Sequence, residues 1–386
     1  MRVKILYVIG SLDIGGAEGH IVEIVPRLDR SRFEPSIFTL THAGTLACEV
    51  GKNGVRVVTL SQGKLFESGN PIRTATRVLR SMMNLYCFLR KEQPDIVHCY
   101  LPLSHFVGGV CGILAGVPIR IMSRRSLNDY QKKYPLVSQL ERYMNRWMHR
   151  IVANSNAVLH QLVAEGVSER QLRLIYNGVD VCKYGGGLSR TTTRKWLNIA
   201  PNIVLIVVVA NLIPYKGHED LLMALSNIRE ALTTSWKLLC VGKPYCLQLR
   251  LEQKAKELGI HSNIQFLGEQ RERIPELLFS ADIGVLCSHQ EGFSNSILEG
   301  MAAGLPMVVT DVGGNAEAVI DGETGIIVPP KCPEKLGRAI LTLVKDPGKR
   351  RCMGAAGRVR VQQLFSVRAC VAEYEKLYEE LLSEHT

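Results

Sequence analysis

Two α/β domains of similar size, each built on a parallel β-sheet, are predicted by three features of the chain. Two series of short apolar segments alternate with stretches of helical periodicity, the pattern that gives parallel strands joined by right-handed crossovers. Between the series lies Tyr176–Pro201, a loop-like segment with Asn-Gly, three consecutive glycines (Gly185–Gly187) and three threonines. A length of 386 residues suits two domains, and a hydrophobic content of 46% supplies two cores.

In the first series, Arg2–Ile9 is a near-continuous apolar run, as a strand buried on both faces requires. Gly10–Gly16 follows as a loop with three glycines, and Ala17–Leu28 has helical spacing through Ile21, Ile24, Val25 and Leu28. Further strands are predicted at Glu34–Leu40, Val55–Leu60, Asp95–His98, Ile119–Ser123 and Arg150–Asn154, with helices at Ile72–Lys91 and Leu103–Ala115. In the second series the strands are Ile203–Val209, Lys237–Val241, Asn263–Leu267, Ile283–Leu286, Met307–Thr310 and Gly325–Val328. Helices fall between them at His218–Ile228, Leu247–Leu258 and Ser294–Ala303. Two helices end the chain, Pro347–Leu364 and Val367–Ser383, the second with apolar spacing through Val371, Tyr374, Leu377 and Leu381. The expected boundaries are 1–178, a linker at 179–202, a second domain at 203–364, and a terminal helix at 365–386 able to return to the first domain. Open parallel sheets bind ligands beyond the carboxyl ends of their strands. Two doubly wound sheets facing a central cleft would therefore share a substrate site.

Composition narrows the function. Charged residues at 22% and aromatics at 6% are ordinary, which excludes disorder, collagen-like repeats and coiled coil as the main class. The longest uninterrupted apolar run, Ile203–Ala210, is far short of the ~18 residues that span a bilayer. The first residues pass directly into a strand and show no secretory leader, so a cytoplasmic location is expected, extending to the inner face of the plasma membrane. Eleven cysteines are scattered, none in C-x-x-C spacing, the closest pair being Cys240 and Cys246. They read as reduced thiols rather than a disulfide framework or zinc site. The net charge of +11 is uneven: residues 1–180 carry 23 Lys and Arg against 14 Asp and Glu, residues 181–386 only 24 against 22. A basic first half suits an anionic partner, although a solvated basic surface has the same composition.

Three loops can carry chemistry. Gly10-Ser-Leu-Asp-Ile-Gly15-Gly16-Ala-Glu18 leaves a strand and opens a helix, where backbone N–H groups attract phosphate. Its spacing is neither G-x-G-x-x-G nor a P-loop, and a plain strand-to-helix turn explains it equally. The strongest signal is Glu291-Gly-Phe-Ser-Asn-Ser-Ile-Leu-Glu299-Gly-Met-Ala-Ala-Gly-Leu-Pro306. Glu291 lies before a helix and Glu299 about two turns beyond it, flanking the amides of Phe293, Ser294 and Asn295. Carboxylates are good acceptors for sugar and ribose hydroxyls, and a helix N-terminus accepts a diphosphate between them. A surface helix with acids near its favourable end is the bland alternative. Upstream, Ala210-Asn-Leu-Ile-Pro-Tyr-Lys216-Gly places a lysine where a strand ends, able to neutralise a phosphate as a point charge.

Asn211–Lys216-Gly, Val241-Gly242, Phe266-Leu-Gly268, the Glu291–Glu299 motif, Gly10–Glu18 and Ile175-Tyr-Asn-Gly-Val-Asp180 together resemble family 4 of the retaining glycosyltransferases (glycosyl transferases group 1). The resemblance covers nearly the whole chain. It implies the GT-B fold, two Rossmann-like domains with C-terminal helices packing across, and transfer of a sugar from a nucleotide sugar, UDP- or GDP-linked, with no resident cofactor. By that resemblance Glu299 holds the ribose and Glu291 the donor sugar. Lys216 and the amides at Phe293–Asn295 hold the diphosphate. Gly15 and Gly16 let the first loop approach that diphosphate, and Asn211, Gly242 and Gly268 complete the donor-binding set. The acceptor would be a sugar or a polyprenyl-phosphate-linked sugar in surface polysaccharide or glycolipid assembly. Two departures stand out. Asn211 occupies a position that often holds Arg, so phosphate charge would rest on Lys216 and amides, or on Arg124 or Arg125. The His-x-His pair of many members is reduced to His98-Cys-Tyr100, with His105 further on, leaving His98 and His105 as acceptor-side candidates that could equally be structural.

Metal is not expected, since no Asp-x-Asp occurs and the His and Cys residues lack ligand spacing. Charge on the leaving diphosphate would then be met by Lys216 and helix amides. In Tyr130–Arg150, basic Lys132, Lys133, Arg142, Arg146 and Arg150 alternate with Tyr134, Leu140, Tyr143, Met144, Trp147 and Met148. That pattern suits an anionic bilayer surface, or a helix packed on its own domain with a solvated basic face. No nucleic-acid module is visible. A nucleotide-sugar 2-epimerase can share this fold but needs an acid/base set that the motifs do not supply. A non-catalytic nucleotide-sugar-binding protein is the other alternative.

Overall fold

The computed structural model describes residues 2–60, 71–127, 135–185 and 187–385, which divide into two units: Met1–Gly178 with Val367–Thr386, and Val179–Ser366. In the first, strands β1 (Val3–Ile9), β2 (Phe33–Thr39), β3 (Arg56–Thr59), β4 (Ile96–Tyr100), β5 (Ile119–Arg124), β6 (Arg150–Ala153) and β7 (Leu172–Leu174) form a parallel sheet of order β3-β2-β1-β4-β5-β6-β7. Every residue of β4, His98 included, is buried, because helices cover both faces. Pro71–Glu92 and Pro102–Ala115 bury Leu85, Phe88, Leu89, Val107 and Cys111 against one face. Gly16–Ile24 and the terminal helix Val367–His385 cover the other.

That terminal helix is bound by polar as well as apolar contacts. Val371, Tyr374, Leu377, Tyr378 and Leu381 all enter the core of the first unit. Such side chains contribute about 1.5–3 kcal/mol each on burial. Among them runs a hydrogen-bonded seam. Tyr378 Oη lies 2.7 Å from Tyr7 Oη and 2.9 Å from His98 Nδ1, and His98 Nε2 lies 2.8 Å from Ser123 Oγ. Parallel register sets Tyr7 opposite His98, so their rings stack at 5.4 Å.

In the second unit, β8 (Val204–Val209), β9 (Trp236–Val241), β10 (Ile264–Gly268), β11 (Ile283–Leu286), β12 (Met307–Thr310) and β13 (Gly325–Val328) form a parallel sheet of order β10-β9-β8-β11-β12-β13. Residues 179–202, expected as a linker, are instead fastened into this unit. Ser189 caps the helix Arg190–Trp196 by accepting from the Thr192 amide. Arg190 and Arg194 both reach Asp282 at 2.6 Å, and Asp282 also accepts the Leu205 amide at 2.8 Å. Arg194 further donates to the carbonyls of Ser280, Ala200, Pro201 and Ile203. The polar composition that suggests a loop is here a set of hydrogen-bonding partners. Gly186 of that segment lies outside the described residues.

Several elements are absent from the sequence expectation: β7 and the helices Ala47–Lys52, Asn156–Ala164, Ile274–Ser280, Asn315–Ala318 and Pro333–Lys345. Most are too short to show a period. Pro333–Lys345 is not: it opens on proline and buries Leu336, Ile340, Leu343 and Val344 at helical spacing. No helix among the described residues is long and apolar enough to cross a membrane.

Replacing Tyr378 by phenylalanine leaves the Tyr7 hydroxyl and His98 Nδ1 each short of a buried partner. Tyr378→Phe is expected to cost about 1–3 kcal/mol, read as a lower urea midpoint at unchanged slope. Burial, with the Arg125 charge second, holds the His98 imidazole down to about 3 from the ordinary 6.5. The stability from keeping it neutral is therefore complete above pH 6.5 and is lost progressively as pH falls towards 3. Stability should decline more steeply below pH 6.5 in the natural chain than in His98→Gln; equal slopes would contradict this role.

Candidate functional site

A parallel sheet that starts in its middle and winds outward both ways opens a crevice where the strand order reverses. In the second unit that point lies between β8 and β11. The loop leaving β8 carries Lys216, and the loop leaving β11 carries Glu291. Lys216 Nζ donates to Glu291 Oε1 at 2.6 Å, with only 17% and 10% of the two side chains exposed. The Lys216 ammonium also lies 5.4 Å from the ring centroid of Tyr215.

Backbone contacts hold these loops close. Gly217 has φ 71°, and a Cβ there would sit 2.0 Å from the Cys287 carbonyl oxygen, so only glycine lets the Lys216 turn touch the strand-end of β11. The Cys287 thiol donates to the Gly217 carbonyl at 3.2 Å, and burial pushes that thiol up to about 12. The His289 amide donates to the Tyr215 carbonyl at 2.7 Å. On the far side, the Gly314 amide donates to the Gly292 carbonyl at 2.8 Å.

Beyond Glu291 the chain enters the helix Asn295–Ala302. Its N-cap residue, Ser294, makes no side-chain cap; its hydroxyl lies 3.0 Å from that of Ser296. Phe293 is a buried anchor, its ring 5.3 Å from Phe365. Asn295 is the first helical residue and Glu299, half-buried, the fifth. One helix thus carries both the backbone donors of its first turn and a carboxylate one turn later. Along the same edge, Asn211 Oδ1 accepts the Lys243 amide at 3.1 Å. The Gly242 amide donates to the Gly268 carbonyl at 2.9 Å. A Cβ on Gly242 would meet the Ala210 carbonyl oxygen at 2.2 Å. Asn211, Gly242 and Gly268 therefore bind the ends of β8, β9 and β10 to one another.

Two features here escaped the sequence reading. His289 Nε2 lies 2.7 Å from Asp220 Oδ2, tying the loop before Glu291 to the helix after Lys216. His218, one residue past Gly217, is buried with neither ring nitrogen bonded, and burial with the Lys216 charge holds it down to about 4. The Lys-Gly-His-Glu-Asp run showed the residue types; their partner in the β11 loop is a tertiary fact.

The first unit places its candidates differently. Gly15 caps the helix Gly16–Ile24 with extended backbone, and a Cβ there would collide with the Glu18 carboxylate at 2.2 Å; a Cβ on Gly16 meets open space. Burial raises Glu18 above the usual carboxylate range, so two acids, Asp13 and Glu18, share this phosphate-like turn. His98 is fully buried in the seam described above and both its nitrogens are engaged, which removes it from any acceptor surface. His105 is fully buried too, its nitrogens unbonded, held down to about 3 by burial and the Arg124 charge. Arg124 is only 2% exposed and lies between Glu141 at 3.9 Å and Glu165 at 3.5 Å, so its charge is spent in the interior rather than offered to a phosphate. Arg125 is half-buried: it donates to Asn177 Oδ1 at 2.6 Å and stands 5.9 Å from the Tyr100 ring. Among the described residues no group of three or more His, Cys, Asp or Glu is arranged to hold a metal ion.

Comparison with known proteins bears on the family and the fold. The chain is 26% identical over 301 residues to N-acetyl-alpha-D-glucosaminyl L-malate synthase of Bacillus anthracis, covering 76% of this chain and 77% of that one. It is 26% identical over 365 residues to D-inositol 3-phosphate glycosyltransferase of Rhodococcus jostii, covering 90% and 80%. The capsular polysaccharide biosynthesis glycosyltransferase CapM of Staphylococcus aureus is 25% identical over 319 residues, covering 79% and 82%. In fold it resembles Anabaena HepE, solved with UDP and glucose, at a TM-score of 0.85 with 21% identity over 98% of this chain and 100% of that one. Sucrose-phosphate synthase of Thermosynechococcus elongatus gives 0.82 with 21% identity over 99% and 100%. The architecture is GT-B, two α/β units on parallel sheets. The model of Glycosyltransferase Family 4 matches residues 14–183 and that of Glycosyl transferases group 1 matches residues 189–360, and the chain belongs to this family of glycosyltransferases.

Proposed function

We propose that the chain is a retaining, metal-independent glycosyltransferase that moves a sugar from a UDP- or GDP-linked donor to a sugar or polyprenyl-phosphate-linked acceptor in polysaccharide or glycolipid assembly at the cytoplasmic side of the membrane. The observation that carries this reading is the Lys216–Glu291 contact beside the start of Asn295–Ala302, whose N-cap Ser294 makes no side-chain cap, at the reversal of strand order. Transfer breaks the bond between the anomeric carbon and the phosphate oxygen, and negative charge grows on the departing nucleoside diphosphate. A lysine ammonium and a helix N-terminus aimed at that charge, already in place, stabilise it without reorganisation. Glu291 beside Lys216 faces the transferred sugar, and Glu299 a turn along the helix holds ribose hydroxyls. The named ligand of HepE, UDP-glucose, and the named role of CapM support donor class and pathway class respectively.

Incubation of the purified chain with nucleotide sugars and lipid-phosphate acceptors tests the reading. A glycosylated product supports it; an isomerised donor would indicate an epimerase, and binding without turnover a non-catalytic receptor.

The two glutamates should separate in their effects. Ribose hydroxyls are unchanged by the reaction, so Glu299→Ala should weaken donor and free nucleoside diphosphate alike, by about tenfold to a hundredfold for a charged-group hydrogen bond. Glu291→Ala should fall mainly on turnover while nucleoside diphosphate affinity stays near normal. Calorimetry with the nucleoside diphosphate and initial rates with the donor decide this; the reverse assignment would invert the motif.

Excess EDTA is expected to leave turnover within about twofold, because diphosphate charge is met by Lys216 and backbone amides. Loss of activity restored by magnesium or manganese would overturn the metal-free reading.

A further inference from the structure

The loops leaving the carboxyl ends of the second sheet differ in what they expose. Those after β10, β12 and β13, residues 269–270, 311–314 and 329–332, contain no aromatic residue. The loop after β12 is closed down on the Glu291 loop by backbone: Gly313 has φ 53°, and a Cβ there would sit 2.0 Å from the Glu291 carbonyl oxygen. In the loop after β11, Phe293 is buried. On the other side of the strand reversal two tyrosines stand exposed, Tyr215 (45%) after β8 and Tyr245 (55%) after β9. Each has a lysine at its ring, Lys216 Nζ at 5.4 Å and Lys243 Nζ at 5.5 Å from the centroids.

Packing does not explain Tyr245. It lies in the turn Pro244–Leu247, where the Leu247 amide donates to the Pro244 carbonyl at 3.3 Å, and it has φ 45°. Glycine adopts that left-handed backbone freely, a bulky residue only with strain. More than half exposed, the ring gains little packing to offset the strain. The fold alone therefore favours glycine or asparagine here, and strained residues of this kind collect at ligand sites. The turn is also tied to the neighbouring loop. The Lys243 amide donates to Asn211 Oδ1 at 3.1 Å, and the Leu212 amide donates to the Lys243 carbonyl at 2.9 Å. Asn211 and Leu212 begin the segment that carries Lys216, so the turn is held in fixed relation to that lysine.

We propose that Tyr245 is a base-stacking residue: its ring, with Lys243 on one face, receives the purine or pyrimidine base of the nucleotide sugar on the other. The inference rests on the donor reading given above and adds to it the direction in which the nucleotide lies. With the diphosphate at Lys216 and the start of Asn295–Ala302, the nucleoside extends along the sheet edge to one side or the other. Neighbouring strands are about 4.8 Å apart, so a nucleoside reaches at least the next loop. On the β12 side that loop offers backbone packed on backbone. On the β9 side it offers an exposed ring, and every base has a π-face to lay on it. Stacking tolerates any base, which makes Tyr245 a determinant of nucleoside affinity rather than a selector between uridine and guanosine.

Calorimetry with UDP, GDP and inorganic pyrophosphate tests it, the last serving as the ligand without a base. Tyr245→Ala is expected to weaken the tighter-binding nucleoside diphosphate by about fivefold to a hundredfold, the range for loss of one base–aromatic stack, and to leave pyrophosphate within about twofold. Tyr245→Trp should retain the nucleotide affinity, and the emission it adds to that of the natural chain should be quenched by the nucleotide and not by pyrophosphate. Tyr245→Gly should lose nucleotide affinity as Tyr245→Ala does, with a urea midpoint no lower than that of the natural chain, because glycine relieves the left-handed backbone. Nucleotide affinity unchanged in Tyr245→Ala, a loss shared equally by pyrophosphate, or a loss found in Tyr215→Ala instead would each overturn the proposal. So would a natural chain that binds pyrophosphate as tightly as either nucleotide. A natural chain that binds none of the three overturns the donor reading, and the proposal with it.

Discussion

Everything at the second unit's site follows from one constraint: a parallel strand cannot return to its neighbour without a crossover, so every loop leaving a strand's carboxyl end opens towards the same edge. Where the winding changes direction, between β8 and β11, two such loops stand side by side with no helix between them. Lys216 and Glu291 come from those loops, 75 positions apart in sequence and 2.6 Å apart in space. The close approach is steric as much as electrostatic. Gly217 has no Cβ to meet the Cys287 carbonyl, and Gly242 none to meet that of Ala210. Packing of backbone on backbone fixes the loops, and the ion pair is built on the result.

The first sheet reverses in the same way between β1 and β4, yet its polar residues are used otherwise. Tyr7, His98 and Tyr378 close a buried hydrogen-bonded seam that joins the last helix to the sheet. Buried polar groups are costly unless satisfied, and a satisfied set admits one arrangement of its partners. The seam therefore specifies where the terminal helix docks as well as adding to stability. Arg124 follows the same logic less completely, its guanidinium enclosed by Glu141 and Glu165. A cation enclosed by acids in the interior is a structural charge, whatever its position in the chain.

Much of this was legible beforehand, and the limits have physical reasons. Strands buried on both faces announce themselves as apolar runs, so β1, β4, β8 and β11 fall within a few residues of expectation. The motif from Glu291 to Glu299 is local: strand, loop and helix follow one another, and spacing alone sets both carboxylates about the helix start. What depended on distant partners was not legible. His98 looks like a strand-end histidine open to ligand until Tyr378, 280 positions away, occupies its Nδ1. The polar run at 179–202 reads as linker because its partner, Asp282, lies far downstream. Exposure is likewise a tertiary property. Met144 and Met148 look identical to Tyr143 and Trp147 in the sequence pattern, and only packing with Met122, Ile151 and Val158 and against Gly109 sorts them into core and surface. Of the same basic segment, Tyr130, Lys132, Lys133 and Tyr134 lie outside the described residues, and Arg150 pairs with Glu384 at 2.6 Å.

The pairing of Lys216 with Glu291 carries a further consequence on the proposed reading. A lysine held ready for a diphosphate, with no anion beside it, would be an uncompensated charge in a half-buried crevice, and such charges are destabilising. Glu291 supplies the missing anion within hydrogen-bond reach. On the proposed reading, an arriving diphosphate would give the ammonium a second acceptor and release the carboxylate to face the sugar as positive charge develops at the anomeric carbon. One contact therefore serves two states. On that reading it would balance the charge of the crevice before the donor binds, and its relaxation on binding would deliver each partner to the charge it stabilises. The arrangement needs the two loops to be rigid, since a lysine stem free to swing would lose the geometry that preorganised electrostatics requires. The glycine contacts beneath Lys216 and the His289–Asp220 hydrogen bond beside it supply that rigidity.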